Sequence, residues 1–309
     1  MKKENDIKVK LFRVEGDAAP FIKVDYVDKN AEEHTGLMLL DTCSMGNILC
    51  PEMVDRIAML CKVEDEGTKL YSIAHETIEA ENVRFHFSFG GSVWQDIFCI
   101  TPRPIPVKVQ GMDVIGILGI RFLKQFRFVI DYSDFTFHKS EVSPENLAST
   151  DCDFFFPMEI GLKHYGLPVV CTWQNGKEIV TLVDTGATNN MIARKTLDDN
   201  AFEYKLLENK DVMQGVTGSV EVDMARVMFH LVSLHGDEER ETSHRARFAV
   251  LSDYIYTPKE EYFENADNQV PPAEILLGAP FMAARGWVLD FGAGIIYKRR
   301  TKEALKETV

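Results

Sequence analysis

The sequence contains the same pattern twice, once in each half of the chain. Residues 39–44 (LLDTCS) and 182–187 (LVDTGA) each place an aspartate directly after two apolar residues and before a threonine. An apolar-apolar-glycine triplet follows in each half, at 117–119 and 276–278, and a further aspartate lies twelve residues after each glycine. A duplication of this length is too long for a solenoid repeat and predicts two similar domains that face each other.

The length of the chain agrees with two domains. At 309 residues it exceeds what one hydrophobic core usually supports, so two domains of about 150 residues each are expected. Residues 139–153 are polar, contain a proline and show no periodicity, which places the boundary there. We expect an N-terminal lobe at 1–142 with Asp41, a linker at 143–152, a C-terminal lobe at 153–300 with Asp184, and a tail at 301–309.

Alternating apolar residues predict that both halves are mainly β. The alternation is clearest at Ile22, Val24 and Tyr26, at Phe85, Phe87 and Phe89, and at Val220, Val222 and Met224. Helical signals are short. The best one covers 51–60, where a proline stands in the first turn and apolar residues recur at helical spacing, and 193–200 occupies the equivalent place in the second half.

Charge and hydropathy exclude several classes of function. The formal net charge of −14 repels nucleic acid and anionic lipid surfaces. No apolar run approaches the roughly 20 residues that cross a bilayer, and the N-terminus leads into no stretch that resembles an export signal. Six cysteines in a chain of this length are too sparse for a disulfide scaffold. We therefore expect a cytoplasmic protein that binds neither nucleic acid nor membranes.

The paired motifs resemble the active-site pattern of aspartic peptidases of the pepsin and retropepsin group. The resemblance rests on 41–44 with 117–119, and on 184–187 with 276–278, and so covers nearly the whole chain. It implies a mainly β fold of two pseudo-symmetric retropepsin-like β-barrel lobes with a central cleft. It also implies an aspartic endopeptidase that works as a monomer on a polypeptide substrate, because both halves of the site belong to one chain.

In this family the catalytic groups are two aspartates, which correspond here to Asp41 and Asp184. Two carboxyl groups that lie this close cannot both ionise, so the resemblance implies that they share one proton, as in aspartic peptidases generally. The ionised member takes a proton from a bridging water, which attacks the peptide carbonyl, while the protonated member donates to the carbonyl oxygen. No metal, cofactor or covalent intermediate is expected.

The resemblance assigns supporting roles to the residues around the aspartates. These residues are Thr42, Cys43, Ser44, Thr185, Gly186, Ala187, Gly119 and Gly278. The two threonine hydroxyls are expected to bond across the lobe interface, and the later glycines to let two backbones approach where a Cβ would collide. The Ser44 hydroxyl is expected to donate to Asp41, which would make Asp41 the more acidic partner because Ala187 offers no such donor to Asp184.

Relatives close the cleft with a β-hairpin flap, and each half offers a candidate segment. Residues 214–220 have the glycine-bracketed tip of such a hairpin, and 70–76 is the equivalent segment of the first half. The candidate substrate contacts are Tyr71, Ile73, Gly215, Val216, Thr217 and Gly218. A partly buried strand tyrosine is the alternative interpretation of Tyr71.

Cys43 departs from the family pattern, which prefers glycine at this position. A thiol beside the catalytic water adds volume, so the alternative function is a peptide-binding pseudoprotease of the same fold without catalysis. A further alternative makes Cys43 the nucleophile of a cysteine peptidase with His75 as its base. The aspartates that follow each glycine, Asp131 and Asp290, are assigned to structure as acceptors of backbone hydrogen bonds.

Overall fold

The structure is a computed structural model. It describes residues 7–58, 60–63, 68–71, 77–101, 108–141, 152–158, 167–215, 218–235, 238–252, 255 and 272–299. The strands of the first half are β1 (Lys8–Lys10), β2 (Phe12–Val14), β3 (Asp17–Val27), β4 (Glu33–Asp41), β5 (Asn47–Leu49), β6 (Cys61–Lys62), β7 (Thr68–Tyr71), β8 (Thr77–Phe89), β9 (Ser92–Ile100), β10 (Lys108–Val109), β11 (Met112–Gly119), β12 (Phe128–Asp131) and β13 (Thr136–Lys139).

Among the described residues, the second half has fewer strands than the first, and two of them are longer than any other described strand. They are β14 (Cys152–Pro157), β15 (Val169–Gln174), β16 (Lys177–Asp184), β17 (Asn190–Ala193), β18 (Glu203–Leu206), β19 (Asp211–Gly215), β20 (Gly218–His235), β21 (Glu238–Leu251), β22 (Ile275–Gly278), β23 (Trp287–Asp290) and β24 (Ile295–Arg299). The α-helices of the described residues are short: α1 (Ile120–Gln125), α2 (Arg194–Asp199) and α3 (Ala279–Arg285). None of the described helices is long and apolar enough to cross a membrane.

Six strands of the first half form a closed β-barrel. The order is β3, β4, β11, β5, β9 and β8, and a pairing of Asp25 with Ser88 joins β8 back to β3. The alternating residues of β3 and β8 point inward, and Ile22, Val24 and Phe85 are completely buried. Period-two alternation therefore builds the core of this half, since successive side chains of a strand point to opposite faces.

Six strands of the second half form another closed circuit, in the order β15, β16, β22, β17, β21 and β20. The β20 and β21 pairing that closes it runs from Asp223 with Val250 to His235 with Glu238. Strand directions repeat those of the first half. In each circuit a parallel pair (β4 with β11, β16 with β22) is followed by an antiparallel pair (β11 with β5, β22 with β17) and a second parallel pair (β5 with β9, β17 with β21).

An antiparallel sheet of six strands joins the two halves. Its order is β1, β13, β12, β23, β24 and β14, so three strands come from each half of the sequence. The central pair is β12 with β23, where Ile130 lies opposite Leu289 and both are completely buried. The predicted linker 143–152 falls almost entirely outside the described residues, and its last residue, Cys152, begins β14.

The prediction of a mainly β protein is confirmed, but one local expectation is wrong. The expected helix at 51–60 is a single 3-10 turn at Pro51–Met53, because the chain beyond it bonds to β3: Ala58 donates to the carbonyl of Val27. The alternation at Val220 does lie in a strand, β20, although this side chain is 56% exposed. The expected helix near 193–200 is present as α2.

Two glycines, Gly119 and Gly278, allow close backbone packing at the ends of the strands that carry the aspartates. Asp41 pairs with Gly119 across β4 and β11, and Asp184 pairs with Gly278 across β16 and β22. A Cβ on Gly119 would lie 2.3 Å from the carbonyl oxygen of Gly46. A Cβ on Gly278 would lie 2.7 Å from two carbonyl oxygens of the opposing turn. Neither neighbour is a flexible side chain that could move away.

We expect Gly119→Ala to lower the free energy of unfolding by at least about 1 to 3 kcal/mol, which is the usual cost of overpacking. The added methyl group would collide with backbone of the Asp41 turn. Gly46→Ala is the matched control from the same turn, because nothing lies within 4 Å of its Cβ position. Urea unfolding measures both variants. Equal stability of the two would show that the close approach does not constrain residue 119.

Candidate active site

Each of the two repeated motifs forms the same turn at the end of a strand. Asp41 ends β4, and its Oδ1 accepts the backbone N–H groups of Cys43 at 2.8 Å and Ser44 at 3.0 Å. Asp184 ends β16, and its Oδ1 accepts the N–H groups of Gly186 at 2.8 Å and Ala187 at 3.1 Å. Each carboxyl group is thus oriented by its own turn through one oxygen.

The two threonines bond reciprocally across the boundary between the two halves. Thr42 Oγ1 donates to the carbonyl of Val183 at 2.6 Å and accepts the N–H of Thr185 at 3.0 Å. Thr185 Oγ1 donates to the carbonyl of Leu40 at 2.6 Å and accepts the N–H of Thr42 at 3.2 Å. Both threonines are completely buried. These bonds fix one aspartate turn against the other.

Two asparagines that sequence reasoning missed also support the turns. Asn47 Oδ1 accepts the N–H of Gly119 at 3.0 Å, and Asn190 Oδ1 accepts the N–H of Gly278 at 2.9 Å. Both residues are buried, and each amide also donates to the strand beyond it. The signal was available, since each asparagine stands six residues after its aspartate.

The structure brings the carboxyl groups of Asp41 and Asp184 close enough for each to affect the pKa of the other. Burial raises the pKa of both groups, although Asp41 keeps part of its surface in contact with solvent while Asp184 is only 5% exposed. The negative charge of Asp41 raises the pKa of Asp184 further, well above its ordinary value. The pair therefore retains a proton at a pH where isolated aspartates have lost theirs.

The expected role of the Ser44 hydroxyl is wrong. Ser44 Oγ donates to the carbonyl of Gly46 at 2.7 Å and closes its own turn, so the hydroxyl leaves Asp41 alone. Only the backbone N–H of Ser44 reaches that carboxyl group, just as the N–H of Ala187 reaches Asp184. The difference between the two aspartates must therefore come from other neighbours.

Cys43 is half-buried between the two halves. Its Sγ lies 3.8 Å from the carbonyl oxygen of Val183, the residue that precedes Asp184. Burial raises the pKa of the thiol well above its ordinary value, and the charges of Asp184 and Asp41 raise it further. A nucleophilic cysteine requires the thiolate, which this environment opposes. The other member of that alternative, His75, lies outside the described residues.

The two hairpins expected as flaps are present as strand pairs. β19 pairs with β20 from Asp211 with Val222 to Gly215 with Gly218, and the tip residues Val216 and Thr217 lie outside the described part. In the first half β7 pairs with β8 up to Tyr71 with Thr77. Ile73 and the rest of 72–76 lie outside the described residues.

The second pair of aspartates takes no part in the site. Asp131 Oδ1 accepts the backbone N–H and the hydroxyl of Ser133, and its other oxygen lies 2.7 Å from Arg299. Asp290 Oδ1 accepts the N–H of Gly292 at 2.9 Å. Both are completely buried, and both accept backbone hydrogen bonds in a strand-to-turn position, as expected.

A group of potential metal ligands is found among residues other than Asp41 and Asp184, which we call the dyad. In the part of the chain that the structure describes, the group found is Asp28, Glu32 and His34, whose ligand atoms lie within 4.8 Å of one another. Asp28 already accepts the N–H groups of Asn30 and Glu32 and bonds to the ring of His34. The carboxylate is satisfied without an ion, so the cluster gives no reason to place a metal there.

Comparisons with known proteins support the fold. No protein-family description and no curated protein matches the sequence. Among solved structures, the crystal structure of basic 7S globulin from soybean is similar, with a TM-score of 0.50 and 12% sequence identity over 94% of this chain and 95% of that chain. That globulin has a pepsin-like fold, and a likeness at this identity concerns the fold alone. The chain is thus a mainly β protein with a β-barrel and a pepsin-like fold.

We expect Thr42→Val to destabilise the protein far more than Thr42→Ser. Valine keeps the shape but leaves the Val183 carbonyl and the Thr185 N–H buried without a partner, at roughly 1 to 3 kcal/mol for each group. Serine retains the hydroxyl and both bonds. Urea unfolding of the two variants gives the difference, and equal losses would indicate that the methyl group, rather than the hydroxyl, stabilises this position.

The raised pKa values of the dyad also predict how stability depends on pH. A carboxyl group whose folded-state pKa is raised stabilises the fold below its unfolded pKa, near 4, and this contribution is lost as pH rises through the folded-state pKa. Where the folded protein binds one more proton than the unfolded chain, the free energy of unfolding falls by about 1.4 kcal/mol for each pH unit of increase.

Asp184→Asn removes the group with the larger shift, so we expect the variant to lose less stability than the wild type between pH 4 and neutrality. Asp55→Asn is the control, because its side chain is 98% exposed. The free energy of unfolding is measured across this pH range for all three proteins. A slope unchanged by Asp184→Asn would contradict the shared buried proton.

Proposed function

We propose that this protein is an aspartic endopeptidase whose catalytic groups are Asp41 and Asp184. The single observation that carries the proposal is the close approach of two desolvated carboxyl groups, one from each half of the chain, on turns that bond directly to each other. Two buried carboxyl groups side by side are energetically costly if both are ionised, and a proton held by one of them removes this repulsion. Perturbed carboxyl pairs of this kind are typical of acid-base catalytic sites.

The mechanism follows from the arrangement. Each aspartate uses Oδ1 for the N–H groups of its own turn, which leaves its other oxygen for the partner and for a water between them. The ionised carboxylate removes a proton from the water as its oxygen attacks the peptide carbonyl carbon. The protonated carboxyl group gives its proton to the carbonyl oxygen, so the tetrahedral intermediate is neutral and the negative charge has moved to the other aspartate.

The two closed strand circuits would form the two pseudo-symmetric lobes, with the cleft along their boundary at the dyad. The hairpins β7 with β8 and β19 with β20 would cover an extended polypeptide that adds to them as a strand, with side-chain pockets giving specificity. Because one chain supplies both aspartates, a monomer would be sufficient. The charge of −14 would disfavour acidic substrates.

A pseudoprotease of the same fold is the second candidate function, and two observations favour it. Cys43 places a side chain beside Asp184 where relatives have glycine, and this would narrow the space for a catalytic water. The similar solved structure is also described as a globulin. In this alternative the cleft would bind an extended peptide without cleaving it.

We expect purified protein to cleave an unfolded protein substrate between pH 3 and 7. Asp41→Asn and Asp184→Asn should each lower kcat/KM by about 10² to 10⁴, since each removes a general acid or base. Asp55→Asn, at an exposed position, should retain wild-type activity. Mass spectrometry of the products and initial rates give the result.

The assay also separates the two candidates. No cleavage at any pH by the wild type, together with saturable binding of an extended peptide that Asp184→Asn retains, would support the pseudoprotease. Cleavage that survives both asparagine substitutions would come from a contaminant or from other residues, and would overturn the proposed catalytic pair.

A further inference from the structure

We propose that Cys43 is a positioning residue that makes the two aspartates inequivalent and keeps their shared proton on Asp184. The inference rests on the proposed function, because it concerns the same pair of carboxyl groups. It begins from the near identity of the two turns, whose backbone hydrogen bonds match one for one. The residues that differ between them are Cys43 and Ser44 in one turn, and Gly186 and Ala187 in the other.

The third residue of each turn lies against the aspartate of the other turn. A Cβ on Gly186 would lie 2.6 Å from both Cγ and Oδ2 of Asp41, so a side chain at this position would displace that carboxyl group. Cys43 does carry a side chain, and its Sγ lies beside Asp184, 3.8 Å from the carbonyl oxygen of the preceding residue, Val183. The carboxyl group of Asp41 therefore lies against the backbone of a glycine, whereas that of Asp184 lies beside the methylene and sulfur of Cys43.

The surroundings of Cys43 extend this difference. Its side chain packs against an apolar cluster of the second half that includes Leu182, Ala187 and Met191. Apolar groups on this side leave Asp184 with 5% exposure, whereas Asp41 keeps partial contact with solvent. Desolvation disfavours the charged form of a carboxyl group, so the neutral form is preferred at Asp184 and the charge at Asp41.

The ionisable neighbours leave this preference in place. In the described part of the chain, the ionisable side chains that interact with Asp184 are Asp41, Cys43 and Tyr132. The pKa of the Cys43 thiol and that of the Tyr132 hydroxyl are both raised by burial and by the charge of Asp184, so both stay neutral. Among the residues that the structure describes, the full negative charge that faces Asp184 is then that of Asp41, which itself favours a proton on Asp184.

The consequence is a division of labour between the aspartates. Asp41 carries the negative charge and takes the proton of the water, and Asp184 donates its proton to the substrate carbonyl oxygen. Without the thiol, water could solvate Asp184 nearly as well as Asp41, and the proton would distribute between them. Cys43 itself stays a thiol throughout, since an ionised sulfur beside two carboxyl groups is disfavoured.

The test follows the dyad directly by carbon NMR of protein labelled at aspartate carboxyl groups, titrated from pH 3 to 8. Asp41→Asn and Asp184→Asn assign the two signals. We expect the higher apparent pKa of the wild-type pair to be reported mainly at Asp184. Cys43→Gly should lower it by one pH unit or more and make the two carboxyl signals titrate more alike.

Three further variants control the interpretation. Cys43→Ala keeps the Cβ and should stay closer to the wild type than glycine does, whereas Cys43→Ser offers a hydroxyl donor to the charged form of Asp184 and should lower its pKa. Met45→Ala changes an exposed residue of the same turn and should leave the titration unaltered. If Cys43→Gly does not fold, the comparison of alanine with serine decides. Titrations identical to the wild type in every folded Cys43 variant would overturn the proposal.

The readout separates this inference from the proposed function. The NMR titration requires no turnover, so a shift in Cys43→Gly without hydrolysis by any variant would support the positioning role and contradict the peptidase. In an active enzyme, the alkaline limb of kcat/KM should move to lower pH by the same amount as the NMR titration. Hydrolysis with an unmoved pH profile and unmoved titration would support the peptidase and contradict the positioning role.

Discussion

The reciprocal hydrogen bonds of Thr42 and Thr185 are the interaction on which the arrangement of the site depends. Each hydroxyl donates to a carbonyl of the opposite half and accepts the N–H of the opposite threonine, so neither turn can shift without leaving buried polar groups unpaired. Unpaired buried groups of this kind cost more than the bonds contribute when formed. The carboxyl groups that precede these threonines are therefore brought together although their mutual repulsion opposes it.

The fold supplies the rigidity that this contact needs. Each aspartate turn lies against the strand that ends in Gly119 or Gly278. An asparagine side chain, Asn47 or Asn190, accepts the N–H of that glycine. The six-stranded sheet then ties the two halves together with three strands from each. Strands and buried side-chain amides hold a catalytic geometry better than loops do, because their own conformations are fixed by packing and hydrogen bonds.

Much of this could be predicted from the sequence because the chain states it twice. The spacing of the motifs located Asp41, Asp184, Gly119 and Gly278, and period-two alternation indicated strands. The hydroxyl of Ser44 could not be placed, since a short side chain in a tight turn has several acceptors and the carbonyl of Gly46 is the nearer one here. The helix expected at 51–60 failed for a tertiary reason, namely that the edge of β3 offers backbone partners that local propensity does not reveal.

The buried side chain of His244, in the second half, has a pKa shift opposite in direction to those of Asp41 and Asp184. Burial, together with the positive charges of Arg285 and His230, lowers the pKa of His244 from 6.5 to about 4. A buried neutral histidine penalises the fold increasingly as pH falls from 6.5 to about 4, whereas the buried proton of the aspartates penalises it as pH rises above the unfolded pKa near 4. The two gradients oppose each other across mildly acidic pH. A protein that keeps two carboxyl groups partly neutral can therefore avoid a steep loss of stability with pH, because between about pH 4 and 6.5 the stability that the dyad loses as pH rises is offset by the stability that His244 regains.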